Sequence, residues 1–362
     1  MTPRLDRLRQ KLAENQLNAM LISQADNRRY LSGFTGSAGY LLISRERALL
    51  ATDPRYVEQA KEQAPHFEIV RIEGELDKWF SQLMSELEAQ RLGFESSDLS
   101  FATYRRLTEA LSQIQEQPQL VSTEGLVESL RTVKEEEELR LISKAIELTD
   151  AAFEHVSQGL KPGMTEKEIA WELEKYIREN GGEGVAFELI VASGPNSAFP
   201  HARPTERRLI ESEPIVIDIG AKVDGYCSDL TRTLCLGEPD DTFKRVYDIV
   251  LGAQLTAIAT LGVGMSGEQA DRLARTVIEE AGYGENFGHG LGHGLGLNVH
   301  EQPRLGKTST DILAEGMVTT IEPGIYLPGW GGVRIEDVVV LEEGRAKVLS
   351  KASKKENPRR PI

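Results

Sequence analysis

Over the first 120 or so residues the hydrophobic pattern switches between two periods. Apolar positions recurring every three to four residues predict helices over 3–15, PRYVEQAKEQA (54–64), ELDKWFSQLMSELEAQ (75–90) and FATYRRLTEALSQI (101–114). The short apolar runs between them, NAMLIS, YLLIS, RALLA, FEIVRI, RLGFE and QLVST, predict strands, and YLLIS and RALLA lie close enough along the chain to pair. Such alternation makes a compact α/β unit. Ser122 to Gly125 marks its end, because a charged helix opening on KEEEELR follows; the domains are therefore expected at 1–124 and 125–362. Acids in that helix's first turn suit its positive end, and the run is expected to be a solvated face.

The second part repeats itself. GLKPGMTEKEIAWELEKYIRENGG (159–182) and LGVGMSGEQADRLARTVIEEAG (261–282) both run Gly-Met-Ser/Thr into a helix that ends at glycine. Each opens on a capping box, Thr165 with Glu168 and Ser266 with Gln269, which satisfies free amides of the first turn. Each is preceded by another amphipathic helix and followed by strands carrying histidine. Two similar helix-helix-strand halves pack about a pseudo-twofold axis, and their seam is a natural place for a site.

Length and charge narrow the class. At 362 residues the chain exceeds one typical core. No apolar run approaches the roughly 20 residues of a membrane helix, and MTPRLDRLRQ is polar, so a cytoplasmic protein with no membrane partner is expected. A net charge of −15 would repel nucleic acid, and the one basic cluster, KKENPRR, is expected to be a frayed tail. Cys227 and Cys235 are eight residues apart in predicted strand, about 26 Å along the chain, too far for a disulfide; reduced thiols are expected.

The chemistry concentrates in four segments. EPIVIDIGAKVDGYCSDLTRTLCL (213–236) is strand, turn, strand, with Asp224-Gly225 as a type I′ hairpin turn. Val223 then faces Tyr226, Gly220 faces Asp229, and Asp218 shares a face with Asp229 as a diagonal neighbour about 7–8 Å away. Two carboxylates aimed at one spot in an apolar sheet call for a cation between them; exposure of both is the alternative. Downstream, MVTTIEPG ends a strand on Glu322, and GGVRIEDVVVL sets Arg334 and Glu336 on one face. Four acids on apolar strands are hard to explain without metal, although Arg334 pairing with Glu336 stays open. In NFGHGLGHGLGLNVHE (286–301), glycine at every second residue leaves one face bare for close approach, with His289 and His293 on the other. Neither a nucleotide-binding glycine loop nor a His-Glu-x-x-His helix fits the run. Four carboxylates and an imidazole form an oxygen-rich set suited to Mn²⁺ or another octahedral ion.

DIGAKVDGYCSDLTRT, GHGLGHGLGLNVHEQP, TIEPGIY and GGVRIED, with NRRYLSGFTGSAG and TDPRY earlier, resemble the motifs of the creatinase/aminopeptidase family of metallopeptidases in order and spacing, over nearly the whole chain. Within it they look like the proline-specific branch of aminopeptidase P and prolidase. The resemblance implies an α+β pita-bread fold: two pseudo-symmetric helix-helix-strand halves around a curved antiparallel sheet, behind an N-terminal α/β domain. It implies two divalent ions per chain, Mn²⁺ foremost and Co²⁺, Zn²⁺ or Fe²⁺ otherwise, on Asp218, Asp229, His293, Glu322 and Glu336, with Asp229 and Glu336 touching both. His201, His289, His300, Glu322 and Arg334 match catalytic positions, and Tyr326 an active-site tyrosine. The implied activity is that of an Xaa-Pro aminopeptidase, in which a metal-bridging hydroxide attacks the first carbonyl with Glu322 as proton relay, and His201 and His300 stabilise the oxyanion and protonate the prolyl nitrogen.

The alternative is a prolidase, cutting only dipeptides, in which Arg304 or Arg334 holds the free carboxylate. Methionine aminopeptidases lack this N-terminal domain, and creatinase and non-catalytic relatives lack the ligands, all of which are kept here. Proline-containing peptides as substrate and a homodimer follow from the same resemblance. His66 and His155 are expected at the surface or in core packing, and Trp79 and Trp171 to serve packing.

Overall fold

The six apolar runs of the first part form one sheet: β1 (Ala19–Ile22), β2 (Tyr40–Ser44), β3 (Ala48–Thr52), β4 (Glu68–Arg71), β5 (Arg91–Glu95) and β6 (Gln119–Thr123), in the order β4-β3-β2-β1-β5-β6. The computed structural model describes residues 3–74, 76–87 and 89–357. β2 runs antiparallel to both neighbours, and the other pairs are parallel. The helices are α1 (Pro3–Glu14), α2 (Ala25–Ser32), α3 (Val57–Gln63, entered through a 3₁₀ turn at Pro54–Tyr56), α4 (Leu76–Leu87), α5 (Phe101–Leu111) and α6 (Glu128–Arg131). Leu21, Leu42, Leu49, Phe80, Leu92 and Leu107 fill the core between sheet and helices, and Trp79 packs on Tyr40 and Phe80 as expected. Periodicity did not predict α2, which is short and polar. Its Asn27 donates to buried Glu95 at 2.6 Å, and Gly33 ends it at φ +80°, so tertiary hydrogen bonds stabilise it where an apolar stripe is missing.

The chain divides into two compact units after Arg131. The second opens on α7 (Glu136–Gly159) and α8 (Glu166–Glu179), followed by β7 (Gly184–Val185), β8 (Ile190–Ser193), β9 (Pro214–Ile219), β10 (Ala221–Val223), β11 (Tyr226–Cys227) and β12 (Leu230–Cys235). Then come α9 (Asp241–Thr260), α10 (Gly267–Glu280), β13 (Gly292–Gly294), β14 (Glu301–Leu305), β15 (Val318–Ile321), β16 (Gly324–Leu327), β17 (Gly331–Arg334), β18 (Asp337–Glu342) and β19 (Arg345–Val348). Both capping boxes form, on α8 and α10. All strand pairs here are antiparallel, in the orders β11-β10-β7, β12-β9-β8, β14-β13-β15-β18-β19 and β16-β17. The two halves keep separate cores. Phe153, Leu173 and Ile177 of α7 and α8 pack on Ile215, Ile217 and Leu234, while Phe243, Val250 and Ile278 of α9 and α10 pack on Ile321, Val333 and Val339.

Several expectations need correction. Glu138 of KEEEELR is buried, because it closes the cap of α7 and accepts the Tyr226 hydroxyl at 3.1 Å; it is no part of a solvated face. Trp171 is exposed and does not pack. The start of the basic tail is not frayed: Tyr247 donates to Lys354 O at 2.6 Å and Glu356 O accepts the Cys235 amide at 2.8 Å. Its Pro358, Arg359 and Arg360 lie outside the described residues. Both cysteines are free and buried, and His155 stacks on Tyr176 with ring centroids 4.8 Å apart.

Candidate metal centre

Alternation along each strand aims the acids. Asp224 and Gly225 both have positive φ, +45° and +75°, as a type I′ turn requires. The register that follows pairs Val223 with Tyr226, Leu230 with Ile219 and Thr231 with Asp218. Ile215, Ile217 and Ile219 enter the helix-facing core, so Asp218 emerges on the opposite face. In the second half Ile321 and Ile335 are core residues, which turns Glu322, Arg334 and Glu336 away from the helices. His293 comes from β13, where the register shifts between His293 and Gly294.

These side chains converge. Asp229, His293 and Glu336 each offer a ligand atom, all within 4.8 Å of one another. His293 Nε2 lies 3.3 Å from Glu322 Oε1 and 3.6 Å from Asp229 Oδ2. Its Nδ1 donates to the Gly294 carbonyl at 3.1 Å, which leaves Nε2 as the nitrogen turned to the acids. Asp218 Oδ2 accepts from Arg334 Nη2 at 2.7 Å, while its Oδ1 is buried without a hydrogen-bond partner among the described residues.

The charges do not balance. Burial, and then the neighbouring carboxylates, push Asp229 and Glu336 well above the usual carboxylate range. Burial works against a charged His293, yet the hydrogen bond and charge of Glu322 outweigh it and lift the imidazole to about 9. Burial likewise opposes an ionised Glu322, but His293 holds it down at about 2. Four acids against Arg334 and a protonated His293 still leave a deficit of positive charge in a desolvated site. A divalent cation corrects it, and the orphaned Asp218 Oδ1, with no surface open to water, fits an ion that binds at about 2.0–2.2 Å. Oxygen donors with one imidazole suit a hard, octahedral ion.

A second group surrounds the acids. Arg334 is buried and donates to Tyr326 Oη at 2.7 Å, Thr231 Oγ1 at 3.1 Å and Pro200 O at 3.3 Å besides Asp218. Burial first of all pushes the Tyr326 phenol up to about 12, so it stays protonated, and its oxygen lies 2.9 Å from His289 Nε2. His289 Nδ1 donates to Gly290 O at 2.8 Å, and burial lowers its pKa, leaving a neutral ring that accepts the tyrosine proton. His300 lies against His293 with ring centroids 4.3 Å apart. Burial, then the charge of His293, lower the His300 pKa, and Arg304 is among the charges adding to this.

His201, His289, His293, His300, Arg334 and the four acids line a cavity of about 480 Å³ whose apolar wall includes Phe187, Ile190 and Val299. Tyr326 stands behind that lining, held by Arg334 and His289. Arg304 is exposed on β14, opposite His293 in register, and does not line the cavity. Sequence reasoning missed two supporting residues. Thr231 donates to Glu336 Oε2 at 2.7 Å while accepting from Arg334; its position two residues beyond Asp229 was the available signal. Fully buried Glu166 accepts Ser193 N at 2.7 Å, Thr205 N at 3.0 Å and Thr205 Oγ1 at 2.6 Å, tying down both ends of the loop that carries His201; nothing in its local sequence announces this.

Known proteins resemble the chain over nearly its whole length. The family model "Metallopeptidase family M24" matches residues 140–343, and "Creatinase/Prolidase N-terminal domain" matches residues 4–133. A curated Xaa-Pro dipeptidase of Pyrococcus furiosus is 36% identical over 98% of this chain and 99% of its own. Among solved structures, an Xaa-Pro dipeptidase from Bacillus anthracis is 43% identical with a TM-score of 0.94, covering 97% of this chain and 98% of that one. An X-Pro aminopeptidase from Thermotoga maritima is 39% identical with a TM-score of 0.88, over 96% and 99%.

Proposed function

The chain belongs to metallopeptidase family M24, with the α+β pita-bread fold and a creatinase/prolidase N-terminal domain, and on that premise we propose that this peptidase is an Xaa-Pro dipeptidase. What carries the reading is full-length similarity, at 43% and 36% identity, to chains named Xaa-Pro dipeptidase, joined to five ligand-type side chains that line one cavity. It departs from the aminopeptidase expected from sequence. The aminopeptidase stays as the second reading because the Thermotoga maritima chain, 39% identical, bears that name.

In this reading Asp218, Asp229, His293, Glu322 and Glu336 hold two divalent ions, with Mn²⁺ favoured by the oxygen-rich donor set. Such ions, when bound, lower the pKa of water and neutralise developing negative charge. Glu322, a cavity-lining carboxylate beside His293, takes up the proton of the attacking water. His300 and His201 face the cavity, where they donate to the oxyanion and return a proton to the prolyl nitrogen. That nitrogen has no N–H, so a pocket walled by Phe187 and Val299 accepts the pyrrolidine ring without stranding a donor. Arg334 and Tyr326 orient Asp218 and His289 by the hydrogen bonds already described. Of the two arginines considered for the free carboxylate that only a dipeptide carries next to proline, Arg334 lines the cavity and Arg304 does not, which favours Arg334.

Cleavage of Xaa-Pro dipeptides against Xaa-Pro-Xaa tripeptides, on protein stripped of metal and refilled with Mn²⁺, is the test. Dipeptides alone should be cut; equal turnover of tripeptides would establish the aminopeptidase instead. A homodimer and a cytoplasmic address belong to the same proposal, and light scattering checks the first. No described helix is long and apolar enough to cross a membrane.

A further inference from the structure

Glu336 is gripped from behind. Its amide donates to Thr231 O at 3.0 Å, and Arg232 Nη1 donates to its carbonyl, so the peptides on both sides of the residue are held. Arg232 is 1% exposed, and all five of its N–H groups are engaged. Nε donates to Ser353 O at 3.1 Å; Nη1 to Thr231 O at 3.0 Å and to Glu336 O; Nη2 to Asp337 Oδ1 and Ala352 O, both at 2.8 Å. The other oxygen of Asp337 accepts Lys354 Nζ at 2.5 Å and Gln254 Nε2 at 3.2 Å. The C-terminal segment is anchored in its turn: Asp150 accepts the amides of Lys351 and Ala352 at 2.8 and 3.1 Å, and Glu154 that of Ser353 at 2.8 Å.

We propose that Arg232 is a positioning residue for Glu336, and that the segment from Ser350 to Glu356 completes the device by supplying the carbonyls and the lysine that hold Arg232 and Asp337 in place. The C-terminal segment thereby sets how tightly the site takes up divalent ions. The inference rests on the assignment of Glu336 as a ligand made above. A carboxylate that serves a metal must keep its oxygens within about 0.2 Å of their places, and outer partners do that holding. Five donors in one plane reach acceptors from β12, the β17–β18 junction and the C-terminal segment together; a lysine has three donors and no plane. A buried ion pair adds little net stability over an apolar pair, so stability alone does not account for this arrangement.

Two full-length variants test it. R232M/D337L removes the clamp without leaving either charge buried and unpaired, and Lys354→Met loosens Asp337 from the part-exposed side. Metal-stripped protein is titrated with Mn²⁺ against a fluorescent chelator, with circular dichroism and thermal unfolding followed in the absence of metal. The double variant should bind Mn²⁺ roughly 10- to 100-fold more weakly, and Lys354→Met should move the same way by less, both with the wild-type far-UV spectrum. Lowered melting temperature with unchanged Mn²⁺ affinity in both would overturn the inference, since a merely structural role predicts that pattern. Should the double variant not fold, unchanged affinity in Lys354→Met overturns it alone. A wild type that takes up no Mn²⁺ would refute the metal assignment itself, and the inference with it.

Discussion

Gly292→Ala is a single methyl that should weaken the candidate site's hold on metal. A Cβ built on Gly292 would lie 2.0 Å from the Thr320 carbonyl oxygen and 2.8 Å from its hydroxyl. Carbon meets a carbonyl oxygen at about 3.3 Å or more, so the strand must move by more than about 1 Å. Metal–ligand distances tolerate about 0.2 Å. The neighbouring His293 is tied to the same strand, since its amide donates to Thr320 Oγ1 at 3.0 Å and its carbonyl accepts Thr319 Oγ1 at 2.9 Å. Any shift is therefore passed to the imidazole. Overpacking of this kind costs roughly 1–3 kcal/mol, and if the strain is relieved at His293 it appears as a roughly 5- to 150-fold loss of Mn²⁺ affinity. Gly288→Ala is the control, because nothing lies within 4 Å of a Cβ there. The assay is a Mn²⁺ titration of both metal-stripped variants beside wild type. Equal affinity in all three would refute the claim that these glycines admit a neighbouring backbone, as would an equal loss in both variants.

Three further outcomes are expected. His293→Ala should lose Mn²⁺ affinity, whereas His300→Ala should keep its metal and lose turnover; equal metal retention would abolish that division. Burial and neighbouring carboxylates raise Asp229 and Glu336, and Glu322 lifts His293 to about 9 against its burial, so bound ions compete with protons for these ligands. Mn²⁺ uptake should therefore release protons and tighten as pH rises toward their ionisation, which calorimetry in two buffers of different ionisation enthalpy reads; uptake without proton release contradicts it. Arg275 grips fully buried Asp271 at 2.6 and 2.9 Å and donates to His289 O at 2.6 Å. Arg275→Met should lower unfolding stability by about 3–5 kcal/mol, with R275M/D271L recovering most of it in urea titrations; a loss of the single variant below about 1 kcal/mol would mark the pair as no stronger than a surface one.

Chain-local physics accounts for what was legible before any fold was known. The Asp224-Gly225 turn sets the register of its hairpin, a period of two sends Asp218, Glu322 and Glu336 away from the aliphatic residues beside them, and a hydroxyl three residues before an acid or amide starts α8 and α10. These rules act within a few residues, so the sequence alone decided them. Which of three similar histidines reaches the acids was decided elsewhere: His293 meets Asp229 and Glu322, while His289 turns to Tyr326. The glycines around it were read correctly as allowing close approach, but what approaches at 290, 292 and 294 is backbone carbonyl from Leu305, Thr320 and Gln302. Burial of Glu138, the grip of Glu166 on the His201 loop and the five acceptors around Arg232 join residues as far as 121 positions apart. A polar side chain carries no mark of its partner until the tertiary fold removes water from it, and only then does its hydrogen bond or charge decide where it stands.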